Sequence, residues 1–212
     1  MDNCQPKATV LIIPGLRDHV AEHWQTILAE RLDKVRTVPP LEADKLNCAK
    51  RVAQIQATIK QIEGDVILVA HSAGVLMTVH WAALHCNKRH ANSTEQNTDH
   101  RNRVVGALLV TPPNLNQPWP SNYPSPEALS AEGWSPLPNQ ALPFPSIVVA
   151  SQNDHLASFT AVQQMANAWH SELYDAGAVG HLNPAAGYGE WADAMPLILQ
   201  LDAVQDTQLL PM

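Results

Sequence analysis

Apolar residues along this chain fall into short continuous runs separated by stretches with a different, wider spacing. A short apolar run bounded by turn residues is typical of a strand that is buried on both faces of a sheet. The runs occupy Val10–Ile13, Val35–Val38, Asp65–Ala70, Val104–Val110, Ile147–Ala150 and, more weakly, Glu172–Tyr174. This pattern predicts six strands.

Between these runs, apolar residues recur every three or four positions, which is the spacing of one helix face. The predicted helices are one that begins near Trp24, then Asp44–Ile62, Ala73–Cys86, Phe159–Trp169 and Trp191–Leu201. Strands that alternate with such helices indicate an α/β fold with a mainly parallel sheet covered on both faces. With 212 residues, 45% of them hydrophobic, the chain can fill one core, and we expect a single domain over 1–212.

Two segments interrupt this alternation. Residues 87–103 are polar and charged, which predicts a solvated loop. The segment 112–145 contains ten of the 17 prolines together with several aromatic residues. A loop of that length within a compact domain is usually functional, and its aromatic content favours an ordered lid or pocket wall.

Composition excludes several classes of function. A net charge of −7 without a run of Lys or Arg argues against nucleic-acid binding. No segment approaches the roughly 18 apolar residues that span a bilayer, and the first 15 residues lack the apolar region of a signal peptide. The three cysteines Cys4, Cys48 and Cys86 are scattered, which predicts reduced thiols rather than disulfides or a zinc site. We therefore expect a cytoplasmic protein that binds no membrane.

A chemical signal lies at the end of the third predicted strand, where residues 66–77 read VILVAHSAGVLM. In a nucleophile elbow, a strand turns so sharply into a helix that the serine adopts a strained conformation and its neighbours must be small. Ser72 has small neighbours at Ala70 and Gly74. The usual pattern carries glycine where this chain has Ala70, so a buried strand followed by an ordinary serine helix cap is the alternative interpretation.

A serine hydroxyl becomes a useful nucleophile when a base removes its proton and a carboxylate orients that base. Asp154 follows the fifth predicted strand, and His181 follows the last one. Parallel strands deliver the residues after their carboxyl ends to one edge of the sheet. We therefore expect Ser72, Asp154 and His181 to meet there as nucleophile, orienting acid and base.

Each of these assignments has a competitor. Asp175 is a rival acid, but we expect it to lie on the wrong side of the last strand to reach His181, and nothing fixes the direction of Glu132. Asn153–Asp154 is also a common turn and helix-cap sequence, and a histidine after glycine is often a surface loop residue. The joint order of serine, acid and histidine favours a catalytic triad.

The oxyanion of an acyl-transfer reaction needs backbone N–H donors. We expect one from Ala73, directly after the nucleophile, and one from Leu16 in the Pro14–Arg17 loop after the first strand. Pro14–Gly15 is otherwise only a tight turn. Arg17 is interpreted as a solvated surface arginine, with contact to an anionic substrate group as the alternative.

These motifs resemble the family of small serine hydrolases that includes the retinoblastoma-binding serine hydrolase and bacterial YdeN-like proteins. The matching segments span most of the chain: Ile12–Gly15, His23–Trp24, Ala70–Gly74, Ser151–Asp154, Gly180–Asn183 and Gly187–Trp191. The resemblance implies an α/β-hydrolase fold, the triad Ser72, Asp154 and His181, and no cofactor. It says little about the substrate, because Pro14 stands where many relatives carry histidine and the two interrupting segments look particular to this chain.

The function that these features favour is hydrolysis of a small ester or amide through an acyl-enzyme on Ser72, an esterase- or amidase-like activity on a small-molecule substrate. His19 and His23 are four residues apart and could share a helix face as metal ligands, but no third ligand has motif spacing, so no metal is expected. His71 is expected to point away from Ser72 and to pack or bond locally. The alternative function is a non-catalytic binding or scaffold module, whose protein partner would use exposed aromatics of the proline-rich segment.

Overall fold

The computed structural model describes residues 4–86 and 102–208. The loop predicted over 87–103 therefore lies outside the described residues, except that its last two residues belong to a strand. Six strands form one parallel sheet in the order β2-β1-β3-β4-β5-β6. The strands are β1 (Thr9–Ile13), β2 (Val35–Thr37), β3 (Gly64–His71), β4 (Asn102–Val110), β5 (Ser146–Ala150) and β6 (Glu172–Asp175).

The helices in the described part of the chain lie between these strands and after the last one. They are α1 (Trp24–Arg31), α2 (Cys48–Ile59), α3 (Ala73–His85), α4 (Pro126–Ala131), α5 (Phe159–Trp169) and α6 (Ala194–Gln208). The predicted α/β fold is confirmed by this alternation and by the single parallel sheet.

Two helices begin later than the apolar spacing predicted. Asp44 has a positive φ of 52°, and the side chain of Asn47 accepts a hydrogen bond from the Lys50 N–H, so α2 begins at Cys48 instead of Asp44. Trp191 precedes α6, which begins at Ala194. In both cases apolar residues that precede the helix also pack on the core. The spacing of apolar residues therefore could not show at which residue the helix begins.

The two faces of the sheet carry separate apolar layers. On β3, Val66, Leu68 and Ala70 face one layer, and Ile67 and Val69 face the other. The first layer is covered by α2, α3 and α5, and the second by α1 and α6. Side chains on a central parallel strand are therefore buried on both sides, as the continuous apolar run predicted. Within residues 4–86 and 102–208, no helix has the length and apolar character needed to cross a membrane.

The proline-rich segment 112–145 contains the short helix α4, which the sequence did not predict. Ser125 caps α4 by accepting a hydrogen bond from the Ala128 N–H. Trp134 behind this helix is fully buried, and its Nε1–H donates to the Leu46 carbonyl at 2.6 Å. The segment is thus anchored to the loop before α2 and packs on the α3 side of the sheet.

Candidate active site

The sharpest turn of the chain lies between β3 and α3. Ser72 has φ 57° and ψ −130°, an unusual conformation for a residue with a side chain. Gly74 follows in the first turn of α3, where a Cβ atom would lie 2.3 Å from the Ile13 carbonyl oxygen and 2.8 Å from that of Pro14. The backbones of β1 and α3 therefore touch at Gly74, whereas the methyl group of Ala70 is accommodated in the core.

A chain of hydrogen bonds connects Ser72, His181 and Asp154, the three residues predicted from the sequence to lie together. His181 Nε2 lies 2.8 Å from Ser72 Oγ, and His181 Nδ1 lies 2.8 Å from Asp154 Oδ2. The side chains of His181 and Asp154 are 3% and 2% exposed, so water hardly competes for these bonds. With Nδ1–H donating to the carboxylate, Nε2 is left as the acceptor of the serine proton.

The loops that carry the acid and the base are bonded to each other. The second oxygen of Asp154 accepts a hydrogen bond from the Leu156 N–H at 2.9 Å. Asn153 Oδ1 accepts one from the Gly180 N–H at 2.6 Å, directly before His181. Gly180 has φ +60°, and a Cβ there would lie 2.8 Å from the Cβ of Ala186. The distance between the acid and the base therefore depends on a contact between two loops that are far apart in sequence.

The loop after β1 lies directly over the serine. A Cβ added at Gly15 would be 3.3 Å from the Cβ of Ser72 and 3.6 Å from its Oγ. Within the described residues, the N–H groups of Leu16 and Ala73 make no hydrogen bond. Ala73 is the first residue of α3, whose opening N–H groups have no partner within the helix. Both N–H groups are thus available as donors beside Ser72.

Two further histidines, His71 and His23, lie behind His181. His71 Nε2 lies 2.9 Å from the carbonyl oxygen of His181, to which it donates a hydrogen bond. Its ring is 5.0 Å from that of His181 and 4.6 Å from that of His23, measured between centroids. His23 caps α1 by accepting the Gln25 N–H at Nδ1. His71 thus bonds to the backbone of the base, a more specific role than the local packing expected from the sequence.

Burial keeps both supporting histidines neutral. Burial, with a smaller effect of the charge that His181 can carry, lowers the pKa of His23 to about 4. Burial also places the pKa of His71 well below its usual range, with smaller effects of the charges on His181 and His23. Two uncharged imidazoles therefore lie beside the ring that is bonded to both Ser72 and Asp154.

The rival carboxylates lie elsewhere. Asp175 is exposed at the end of β6 and accepts hydrogen bonds from Gln152 and the Gly177 N–H. Glu132, at the end of α4, faces the side chain of Asn47 at 3.4 Å. His19 lies near Thr26 on the surface, while His23 points to His71. In the parts of the chain that the structure describes, no group of three His, Cys, Asp or Glu side chains is arranged to hold a metal ion.

A cavity of about 620 Å³ opens at Ser72 and His181. The loop after β1 and the proline-rich segment both line it, and the latter contributes Trp119 and Tyr123. This volume lies within the usual range for small-molecule sites, and apolar side chains predominate in the lining.

A family comparison extends the likeness over nearly the whole chain. The family model described as serine hydrolase matches residues 10–200. The chain belongs to the serine hydrolase family. The predicted resemblance is thereby confirmed, and family membership supports hydrolase activity. A search of curated protein sequences finds no significant match.

Solved structures show the same architecture. A structure described as a YdeN-like hydrolase from Pectobacterium atrosepticum is 27% identical, with a TM-score of 0.71, and the match covers 93% of this chain and 91% of the other. The ydeN gene product from B. subtilis is 15% identical, with a TM-score of 0.64 and coverage of 93% and 100%. Mouse alpha/beta hydrolase domain-containing protein 10 is 14% identical, with a TM-score of 0.65 and coverage of 97% and 92%. The α/β-hydrolase fold of this serine hydrolase is thus confirmed.

Sequence reasoning missed the residues that hold the site from behind. Nothing in the local pattern showed that Asn153 bonds the loop of Asp154 to the loop of His181. Nor did it show that His71 donates a hydrogen bond to the backbone carbonyl of His181. One signal was present: both residues directly precede a candidate catalytic residue, Asp154 in one case and Ser72 in the other. Their partners, however, follow the last strand, and only the folded sheet brings those loops together.

Proposed function

We propose that this serine hydrolase cleaves a small ester or amide through an acyl-enzyme, with Ser72 as nucleophile, His181 as general base and Asp154 as orienting acid. The observation that carries the proposal is the unbroken hydrogen-bond chain from Ser72 through His181 to Asp154, with 2.8 Å at each step. Geometry of this kind defines the triad mechanism independently of sequence position.

In the first half of the reaction, Ser72 Oγ attacks the acyl carbon while its proton passes to His181 Nε2. The resulting imidazolium is stabilised by the Asp154 carboxylate, and it then gives the proton to the departing alkoxide or amine. In the second half, His181 takes a proton from water, the hydroxide attacks the acyl-enzyme, and the proton returns to Ser72. The products are a carboxylic acid and an alcohol or amine, and no cofactor is consumed.

The N–H groups of Leu16 and Ala73 are proposed to bind the oxyanion that forms in both halves of the reaction. Their availability next to Ser72 supports this assignment, since donors already fixed in place need no reorganisation when the charge develops. Gly15 keeps the Leu16 loop close to the nucleophile, because any side chain there would approach Ser72 at 3.3 Å.

We further propose that the protein acts in the cytoplasm on a small-molecule acyl substrate, without nucleic acid or membrane as partner. Its cysteines Cys4, Cys48 and Cys86 are all free thiols, which suits a reducing compartment. The size of the cavity supports a small substrate. An alternative scaffold role gains no support from the proline-rich segment, because Trp134 and Phe144 are buried and Trp119 and Tyr123 line the cavity.

Labelling with a fluorophosphonate probe tests the proposal. The probe reacts covalently with a serine that a neighbouring base activates, so the parent protein should be labelled and the Ser72→Ala variant should not. Ser130→Ala is the matched control, since Ser130 is exposed on α4 and its hydroxyl has no partner in the described structure. Labelling that persists in Ser72→Ala, or that is absent from a folded parent, would refute the assignment.

A further inference from the structure

The arginines of the described residues differ in how they are paired. Arg31, Arg51 and Arg103 each form an ion pair with a carboxylate, namely Glu190, Asp18 and Asp65. Arg17 lines the cavity, and among the residues that the structure describes no carboxylate lies within ion-pair distance of it. The free guanidinium therefore faces the same space as the nucleophile.

The neighbouring acid does not neutralise Arg17. Asp18 has a positive φ of 54°, and its carboxylate points to Arg51, with Oδ1 at 2.9 Å from Nη1. The side chain of Arg51 is only 5% exposed and that of Asp18 17%, so this pair is largely shielded from water. The backbone turn thus directs the Asp18 carboxylate away from Arg17 and towards Arg51. Arg17 is left without a carboxylate partner among the described residues.

An aromatic platform holds the guanidinium in place. Arg17 Cζ lies 5.3 Å from the centre of the Tyr123 ring, within cation–π range. The Tyr123 hydroxyl in turn lies 3.2 Å from His155 Nε2. This contact ties the tyrosine, in the proline-rich segment, to the loop after β5. A cation–π contact uses none of the guanidinium N–H groups as hydrogen-bond donors, so they stay free for an anion.

The arginine is close to the reacting centre. Gly15 packs against Ser72. Arg17 follows Gly15 by two residues, so the Cα atoms of Gly15 and Arg17 are at most about 7 Å apart. The second acid of the cavity, Glu30, lies seven residues beyond His23 on α1, which is about 10 Å further along the helix axis. The negative charge of Glu30 is thus remote from the end of the cavity that contains Ser72.

From these observations we infer that Arg17 is a specificity-determining residue, and that the substrate is an ester or amide whose acyl group carries a carboxylate. The inference deepens the proposed function and rests on it. One guanidinium balances one negative charge and matches the two oxygens of a carboxylate, whereas a phosphate monoester carries nearly two charges at neutral pH. The carboxylate is bound and not altered during the reaction.

Three p-nitrophenyl esters test this inference: the pentanoate, the monoester of glutarate, and the mixed ester in which the glutarate carboxylate is methylated. The pentanoate ends in a methyl group where the glutarate monoester has a carboxylate. The methylated glutarate ester keeps the length of the glutarate chain but has no charge. The parent should prefer the glutarate ester to both neutral esters in kcat/KM. In Arg17→Met, the ratio of kcat/KM for glutarate over pentanoate should fall about tenfold, and Arg17→Lys should give an intermediate ratio.

Arg36→Met is the matched control, because Arg36 is exposed on β2, outside the cavity, and its guanidinium donates a hydrogen bond to the carbonyl of Val35. Its ratio should equal that of the parent. An unchanged ratio in Arg17→Met, or a parent that favours the methylated ester, would overturn the inference while Ser72-dependent turnover continued. Failure of the proposed function would look different, since no ester would then be hydrolysed in a Ser72-dependent manner.

Discussion

At the residue scale, the site depends on which imidazole accepts a proton. His181 is the ring bonded to both Ser72 and Asp154, while His71 and His23 behind it are kept neutral by burial. His71 donates its single N–H to the backbone carbonyl of His181. We interpret His71 as a positioning residue, which acts through the loop that carries the base and not through the substrate.

Replacing His71 with leucine should lower kcat about 10- to 100-fold with little change in KM. The substitution leaves the His181 carbonyl without its donor and allows the imidazole to shift, and small displacements of a catalytic group are costly. His71→Gln, whose amide N–H can reach a similar position, should recover part of the loss. Steady-state kinetics on one p-nitrophenyl ester, with thermal unfolding as a check on folding, measures the effect.

His80→Leu is the control for this prediction, since His80 also bonds to a backbone carbonyl, that of Trp134, at 3.1 Å, and it lies outside the site. It should lower stability without lowering kcat. The positioning role of His71 would be contradicted if both leucine variants affected kcat to the same degree, or if His71→Gln were as slow as His71→Leu.

At the element scale, the approach of α3 to β1 determines where the nucleophile stands. Gly74 allows the first turn of α3 to touch the carbonyls of Ile13 and Pro14, and the same contact places the loop after β1 over Ser72. Sequence reasoning identified the elbow from its small residues. It could not identify which of the small positions is indispensable, since the atoms that a side chain would meet belong to another strand.

Gly74→Ala should lower the free energy of unfolding by about 2 kcal/mol and weaken fluorophosphonate labelling. Alanine is the better helix former, so local propensity predicts the opposite sign. The added methyl group, however, meets rigid backbone at 2.3 Å, and overpacking of this kind costs about 1–3 kcal/mol. Urea unfolding compared with the parent gives the measurement.

Gly106→Ala provides a matched substitution on β4. Its Cβ would lie 3.1 Å from the Cβ of Leu201 and 3.3 Å from its Cδ2, a much milder overlap than the 2.3 Å approach to a backbone carbonyl at Gly74. We expect a smaller loss of stability and unchanged labelling. If Gly74→Ala were as stable as the parent, the close approach of α3 to β1 would have to be looser than the structure indicates.

At the scale of the whole molecule, the buried histidines make stability depend on pH. The unfolded chain takes up protons at His23 and His71 as the pH falls below about 6.5, while the folded protein does not protonate His23 until about pH 4. Because the unfolded state then binds more protons, the free energy of unfolding decreases on acidification through this window. Well above pH 6.5 both rings are neutral in the folded and in the unfolded state, so the free energy of unfolding no longer depends on their protonation.

The His23→Asn variant isolates one of these groups. Asparagine retains the helix cap but does not titrate, so the loss of stability between pH 6.5 and 4 should be smaller than in the parent, by at most about 3 kcal/mol. Urea unfolding at several pH values in the same buffer system tests this. Parallel pH profiles for the two proteins would show that His23 is not the source of the dependence.

The sequence by itself determined the α/β alternation, the elbow at Ser72 and the order of the three candidate catalytic residues. Those signals are local, because apolar spacing, small residues at a turn and polar residues after a strand are visible within about ten positions. The sequence did not predict α4, whose turn is capped by Ser125 within a segment dominated by prolines.

Only the tertiary structure decided how the site is assembled and which charges face it. Ser72 and His181 are 109 residues apart, Asp154 and His181 are 27 apart, and the parallel register of β3, β5 and β6 brings all three to one edge of the sheet. The pairing of Asp18 with Arg51, which leaves Arg17 free, likewise joins positions 33 residues apart. Such contacts arise from the packing of distant loops, which local periodicity does not encode.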